Sequence, residues 1–314
     1  MPECDDPTAL VIDGEDPVAT SVAVSSARAA SLTAVIARSD VFADGLAGSA
    51  LAGVLDAPML LNPMEQLDHR ILAELQRLGV TDVALLGGTA ALSADVEQAL
   101  VDAGLVVSRL AGSNRFATAG AIAQAITAAN GAPTEVYLAY GGGFADSVAV
   151  AGLAAFLERP ILLTETDRLP VETEQALAAL GDPEMRVVGG TAVISDEIAG
   201  DSLRIAGPNR YGTSAAAVDV SRNAGLRINL PYVVTGESFA DALVAGPAAA
   251  LAGQIMVMVD CDDPAGSAES TALTLDALSG RVDDLVVVRT AQAVSDSSVD
   301  TLTSLVDGPV QPES

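Results

Sequence analysis

The sequence predicts an α/β fold built from three tandem parallel-sheet modules, and three observations carry that expectation. Four short blocks occur in the same order three times along the 314 residues. Within each copy, continuous apolar runs alternate with Ala/Leu-rich stretches of helical character. Half of the residues are hydrophobic, enough to bury a sizeable core and to exclude wholesale disorder.

The first block is a helix start. LAGSNRFATAGAIAQAI at 110–126 matches IAGPNRYGTSAAAVDVS at 205–221, and IDGEDPVATSVAVSSAR at 12–28 is a divergent copy. Asp16, Asn114 and Asn209 fall at the cap position, where a short polar side chain satisfies free backbone N–H groups. Pro17 follows the first of them, and proline suits the first helical position, so the divergent copy keeps its helix. The second block holds a helix beginning at Phe42, Phe144 or Phe239, each followed by Ala-Asp. The third (APMLLN, RPILLT, GQIMVM) and the core of the fourth (VALLGG, MRVVGG, LVVVRT) read as strands. Ser93, Ser195 and Ser295 then start a further helix. Strands that are apolar throughout and alternate with helices belong in a parallel sheet covered on both faces. A repeat of about 95–100 residues places the modules at 8–107, 108–202 and 203–306.

The longest apolar run, Ala242 to Val259, is the third copy of a helix followed by a strand, so a buried pair is expected rather than a membrane span. Met1 is not followed by the basic and apolar regions of a signal peptide. All 15 basic residues are arginine against 42 acidic ones, a net charge of −27 that disfavours nucleic acid and anionic membranes as partners. One histidine, His69, and two cysteines are too few for a structural zinc site or a repeated nucleophile–histidine site. Neither a cofactor nor a resident metal is expected. Cys4 and Cys261, each in Cys-Asp-Asp-Pro, could form a disulfide or remain separate thiols.

Three recurrent features fall at the carboxyl ends of strands, where open parallel sheets take their ligands. They are Asn114-Arg115-Phe116 with Asn209-Arg210-Tyr211; the aspartates Asp44, Asp146 and Asp241; and Gly87-Gly88 with Gly189-Gly190, replaced in the third copy by Arg289-Thr290. The glycines lack dinucleotide-binding spacing and read as sharp strand-to-helix turns. The aspartates have two readings. They could cap helices or pair internally, with Ser238 and Asp241 at capping-box spacing and Arg115 and Arg210 facing Asp146 and Asp241; or arginine and aspartate could form a polar patch for a ligand. In the first copy Pro17 replaces the arginine, and Arg38 is expected to partner Asp44 instead.

Taken together, R-x-A-G-x-N-R-[FY]-x-T, F-A-D, P-[IM]-L-L and G-G-T-A-x-[IL]-S resemble the type 2 cell-wall-binding repeats of bacterial surface proteins. The resemblance implies non-catalytic Rossmann-like or flavodoxin-like units packed about a pseudo-threefold axis. It implies an extracellular protein at the cell wall, tethered non-covalently through an anionic, teichoic-acid-like polymer, with an effector region outside this segment. Arg115, Arg210, Asn114, Asn209, Asp44, Asp146 and Asp241 become the candidate polymer-binding residues. A structural or assembly role in a surface layer or adhesin is the alternative; a nucleotide- or sugar-binding enzyme is disfavoured because the three copies share no His or Lys.

Overall fold

The computed structural model describes residues 8–260, 282–291 and 293–306. Cys4 and Cys261 lie outside them, and so do the acidic pairs beside these cysteines. Three four-stranded, wholly parallel sheets form the frame. The first contains β2 (Thr33–Arg38), β3 (Met59–Asn62), β4 (Asp82–Leu86) and β5 (Val106–Leu110), ordered β3-β2-β4-β5. The second contains β6 (Glu135–Tyr140), β7 (Ile161–Thr164), β8 (Glu184–Val188) and β9 (Leu203–Ile205), ordered β7-β6-β8-β9. The third contains β10 (Arg227–Thr235), β11 (Gln254–Val259), β12 (Asp284–Thr290) and β1 (Thr8–Gly14), ordered β11-β10-β12-β1.

The sheets are therefore offset from the sequence repeats by one strand. β5 straddles the junction between the first two repeats and pairs with β4, while β1 runs parallel to β12 from Thr8↔Asp284 to Gly14↔Thr290. Each repeat lends its opening strand to the sheet before it, and the first repeat lends its strand to the last. That exchange closes the three modules into a ring within one chain.

Strand alternation divides the apolar residues between two kinds of core. Val35 and Ala37, Tyr137 and Ala139, and Val286 and Val288 point into one central core shared by all three modules. Their neighbours Ile36, Leu138 and Val287 point outward into three separate cores, one under the outer helices of each module. The outer helices are α3 (His69–Leu78), α4 (Ala94–Asp102), α7 (Val171–Ala179), α8 (Asp196–Ala199) and α11 (Asp296–Val306). His69 stands exposed at the start of α3.

The inner layer holds α1 (Pro17–Ser25), α5 (Arg115–Asn130) and α9 (Arg210–Asn223), together with α2 (Phe42–Val54), α6 (Ala151–Phe156) and α10 (Phe239–Leu251). The last three meet in pairs around the pseudo-threefold axis. Their glycines and alanines let backbones touch: an ideal Cβ on Gly53 would stand 2.1 Å from the Ala155 carbonyl oxygen, and one on Gly246 would stand 2.9 Å from the Gly152 nitrogen. At one end of the axis Phe42, Phe144 and Phe239 close the bundle, with ring centroids 5.6–6.3 Å apart and the rings tilted. Aromatic rings attract edge-to-face at such distances. The second copy departs locally, because a short 3-10 turn (Ser147–Val150) precedes α6. The Ser147 hydroxyl, which has no counterpart at Gly45 or Ala242, donates back to the Tyr140 carbonyl there. No helix among the described residues is long and apolar enough to cross a membrane; the run Ala242–Val259 is the body of α10 followed by β11.

The helix starts form where the sequence places them. Asp16, Asn114 and Asn209 accept from the N–H groups of Ala19, Ala117 and Gly212 at 2.8–2.9 Å. Ser93, Ser195 and Ser295 do the same for Val96, Ile198 and Ser298. Ser238 makes no side-chain cap bond on α10, so the expected capping box does not form there.

The lost Gly-Gly pair also finds a physical reason. Gly87 and Gly189 end their strands at φ +87 and +103, in the left-handed region that glycine tolerates. In those modules Arg109 and Arg204, from the neighbouring strand, donate to the Gly87 and Gly189 carbonyls and pair with Glu97 and Asp196. β1 has Val11 in that position. Arg289 supplies the guanidinium from within β12 instead, bonding Asp296 at 2.8 Å and Asp13 at 3.2 Å. The β1–β12 ladder accordingly runs on to Gly14↔Thr290.

A variant lacking residues 1–14 is expected to lose amide exchange protection across Asp284–Thr290 while the first sheet, Thr33–Leu110, keeps its own. Unchanged exchange in β12 would show that ring closure contributes nothing to the third module.

Candidate functional site

In each sheet the strand order reverses direction between the strand after the first inner helix and the next one: β2/β4, β6/β8 and β10/β12. Doubly wound sheets take ligands in the crevice at that switch point, outside the carboxyl ends of the strands. Here the protein's own aspartates fill it. A Cβ on Gly87 would stand 2.4 Å from Asp44 Oδ2, and one on Gly189 would stand 3.4 Å from Asp146 Oδ2. In the third sheet Asp241 is fully buried and accepts from the Thr290 hydroxyl at 2.5 Å, which in turn meets the Thr20 hydroxyl at 2.8 Å.

Burial governs the carboxyls of Asp241 and Asp44. It pushes Asp241 up to about 6, against the opposing pull of the Thr290 and Ser238 hydroxyls and with help from the nearby Asp13 charge. Asp241 Oδ2 has no hydrogen-bond partner among the described residues. Burial also raises Asp44, opposed at longer range by Arg115 and Arg38.

The arginines go elsewhere. Arg115 and Arg210, at the first turns of α5 and α9, cross the seam to the next sheet and donate to the carbonyls of Gly141 and Gly236. Arg210 also pairs with Glu237 at 3.0 Å and lies 5.9 Å from the centroid of the Phe144 ring. Neither arginine forms an ion pair with Asp146 or Asp241 among the described residues, so the expected internal Arg–Asp pairs do not form. The aspartates turn inward over the strand ends, and the arginines lie along the seams. Arg38 likewise differs from expectation. Its guanidinium binds both carboxylate oxygens of Asp40 and the Ala90 carbonyl, and reaches Asp44 only through the longer-range field.

Asn114 and Asn209 are committed to capping, and the Asn114 amide also donates to Glu172 at 2.7 Å. At the second sheet's carboxyl end a groove of about 520 Å³ remains open, lined by Arg115, Phe116, Tyr140, Gly142 and Thr166 and also by Arg168 and the acidic Glu165 and Asp167. Tyr140 and the Glu165–Arg168 pair had no place among the sequence-derived candidates. The only sequence signal for Tyr140 was its departure from Arg38 and Thr235 in the other copies.

The three tandem repeats that carry this strand-end geometry are also matched by a family model. The Cell wall binding domain 2 model matches residues 11–97, 109–199 and 204–299. The chain belongs to this family.

The cell-wall-binding chain is 29% identical over 264 residues to N-acetylmuramoyl-L-alanine amidase LytC of Bacillus subtilis, covering 81% of this chain and 52% of that protein. It is 26% identical over 244 residues to the Amidase enhancer of the same organism, covering 76% of this chain and 32% of the relative. Among solved structures, Cwp6 from Clostridium difficile superposes with TM-score 0.86 at 22% identity, over 96% of this chain and 48% of that one. Cwp8 from the same organism gives 0.81 at 23%, over 96% and 52%. The identities to these structures are low enough that they establish the shared fold alone. The chain spans about half or less of the length of these curated relatives. Its family assigns it to the cell wall and surface.

The buried carboxyl gives this cell-wall-binding chain an unusual pH dependence. The folded state keeps the Asp241 proton up to about pH 6, whereas the unfolded chain releases it near 3.8. Unfolding between those values releases a proton, so raising the pH through this window destabilises the fold. At neutral pH the cost is on the order of 2–3 kcal/mol. Asp241→Asn is therefore expected to unfold at a higher temperature than wild type at pH 7.5 and at nearly the same temperature at pH 4. An equal effect at both pH values would show that the carboxyl is not the cause.

Proposed function

We propose that the chain is a non-catalytic tether that holds a surface protein at the envelope by binding an anionic, teichoic-acid-like wall polymer. The observation that carries this reading is the placement of Arg115 and Arg210 at the seams between sheets, at the strand ends, with an open groove beside Arg115. A guanidinium offers forked N–H donors that match phosphate or carboxylate oxygens. The site's chemistry favours binding over turnover: the switch-point crevices, where a doubly wound enzyme would hold its substrate, contain the chain's own aspartates. The acidity of the chain is compatible with a polyanion because the charge that matters is local and bulk repulsion is screened over about 8–10 Å at physiological salt.

Cosedimentation with isolated Gram-positive cell walls tests the reading, before and after hydrofluoric acid removes phosphodiester-linked polymer. Stripping is expected to abolish binding. Arg115→Ala combined with Arg210→Ala should weaken it at least tenfold while thermal unfolding shifts little. Undiminished binding to stripped walls would overturn the anionic-polymer reading and leave a role in surface assembly. Severe destabilisation by the double variant would show that these arginines serve the fold.

A further inference from the structure

The two motif arginines differ in one respect that follows from a single column of the repeat. The residue two positions after the strand-end Arg38, Tyr140 or Thr235 is Asp40 in the first copy, Gly142 in the second and Glu237 in the third. In the first copy Asp40 neutralises Arg38 through both oxygens. In the third, Glu237 pairs with Arg210 at 3.0 Å and accepts from the Tyr211 hydroxyl at 3.3 Å, while its own backbone N–H donates to the Thr235 hydroxyl. The second copy has no side chain there. Arg115 has no carboxylate within 4 Å among the described residues, and its one hydrogen bond, to the Gly141 carbonyl, uses one of five N–H donors.

Glycine at 142 is also what Tyr140 requires. An ideal Cβ on Gly142 would stand 2.3 Å from the Tyr140 hydroxyl oxygen and 2.5 Å from Cζ, so the ring folds over the space that Asp40 and Glu237 fill elsewhere. Tyrosine and glycine at 140 and 142 thus go together, as do Arg38 with Asp40 and Thr235 with Glu237. The result is a groove with an uncommitted guanidinium and an aromatic ring beside it. The Arg168 charge there is taken by Glu165 at 2.7 Å, while Asp167 also lines the groove and Asp44 lies within the longer-range field of Arg115.

We infer that the three repeats provide one open anion-binding site, at Arg115 and Tyr140, and that Asp40 and Glu237 are internal carboxylates occupying the equivalent positions in the other two. The inference rests on the anionic-polymer reading and adds which repeat does the binding and what closes the others. The ligand chemistry is one phosphate or carboxylate group adjoining a sugar or polyol face that can lie on the tyrosine ring. Glu237 is then a specificity-determining residue, because it holds the Arg210 charge within the protein.

Isothermal titration of the full chain with a synthetic glycerol-phosphate trimer, and separately with a galacturonate trimer, tests this and distinguishes phosphodiester from carboxylate as the source of the anion. Wild type is expected to bind one of them at a stoichiometry of one. Arg115→Ala should lose at least tenfold in affinity. Tyr140→Thr with Gly142→Glu, which installs the third copy's pair in the second, should lose as much with unfolding unchanged. Thr235→Tyr with Glu237→Gly, which installs the second copy's pair in the third, should raise the stoichiometry to two. Two or three equal sites in wild type, or a stoichiometry still at one in this double variant, would overturn the inference and leave the anionic-polymer reading standing. Failure of wild type to bind either trimer would overturn both.

Discussion

Contact between the backbones of α2, α6 and α10 is the constraint on which the rest of the molecule depends. Gly53 and Gly246 allow these helices to approach at distances that any larger side chain would forbid, and a Cβ on Gly152 would stand 3.2 Å from the Gly246 carbonyl oxygen. Because each helix follows the first strand of its sheet, fixing the three helices fixes the three sheets. It also brings Phe42, Phe144 and Phe239 together above the axis and sets the aspartates, two residues further on, over the strand ends of their own sheets. Small side chains make the contact close, and large aliphatic burial is shared between the central core and the outer ones, through residues such as Leu46 and Leu51 in the first and Ile71, Leu75 and Leu302 in the others. The 3% aromatic content is explained by this design, since the shared core is filled largely by alanine and short aliphatics instead of rings.

Much of this was legible in the sequence because the chain repeats. The elements, their order and the helix caps are local properties, and three copies of each confirmed one another: Asp16, Asn114 and Asn209 cap where their spacing says. Sheet membership was less accessible. Nothing in VVSRL tells whether it pairs with the strand before it or with one after it, since parallel pairing is decided by distant chain segments. The partners of the charged groups were misjudged for a related reason. Arg115 reaches the second sheet at the Gly141 carbonyl while Asp146 turns in against Gly189 of the same sheet, so proximity in the motif did not become contact in space. The aspartates look alike in sequence, yet only Asp241 meets a threonine hydroxyl where the others meet glycine.

Departures between copies proved as informative as agreement. Val11 in place of the strand arginine and Arg289 in place of glycine are two halves of one change, since the same guanidinium task passes from β1 to β12. Asp40, Gly142 and Glu237 vary at a position that looks unremarkable until its arginine neighbours are known. A chain of net charge −27 with few cations uses nearly every strand-end arginine internally. That makes Arg115 conspicuous by its chemistry and not by its motif, which Arg210 shares.

Closure of the ring by β1 on β12 has a mechanical side. The grip on a wall polymer, as proposed, lies at the carboxyl ends of the strands, whereas β1 enters the sheet from the opposite end. A pull on the chain ahead of Thr8 therefore runs along the strand axis, and the seven register pairs from Thr8↔Asp284 to Gly14↔Thr290 bear it in shear, sharing the load instead of parting one after another. The same seven residues that complete the third sheet would set the force at which that end of the tether gives way.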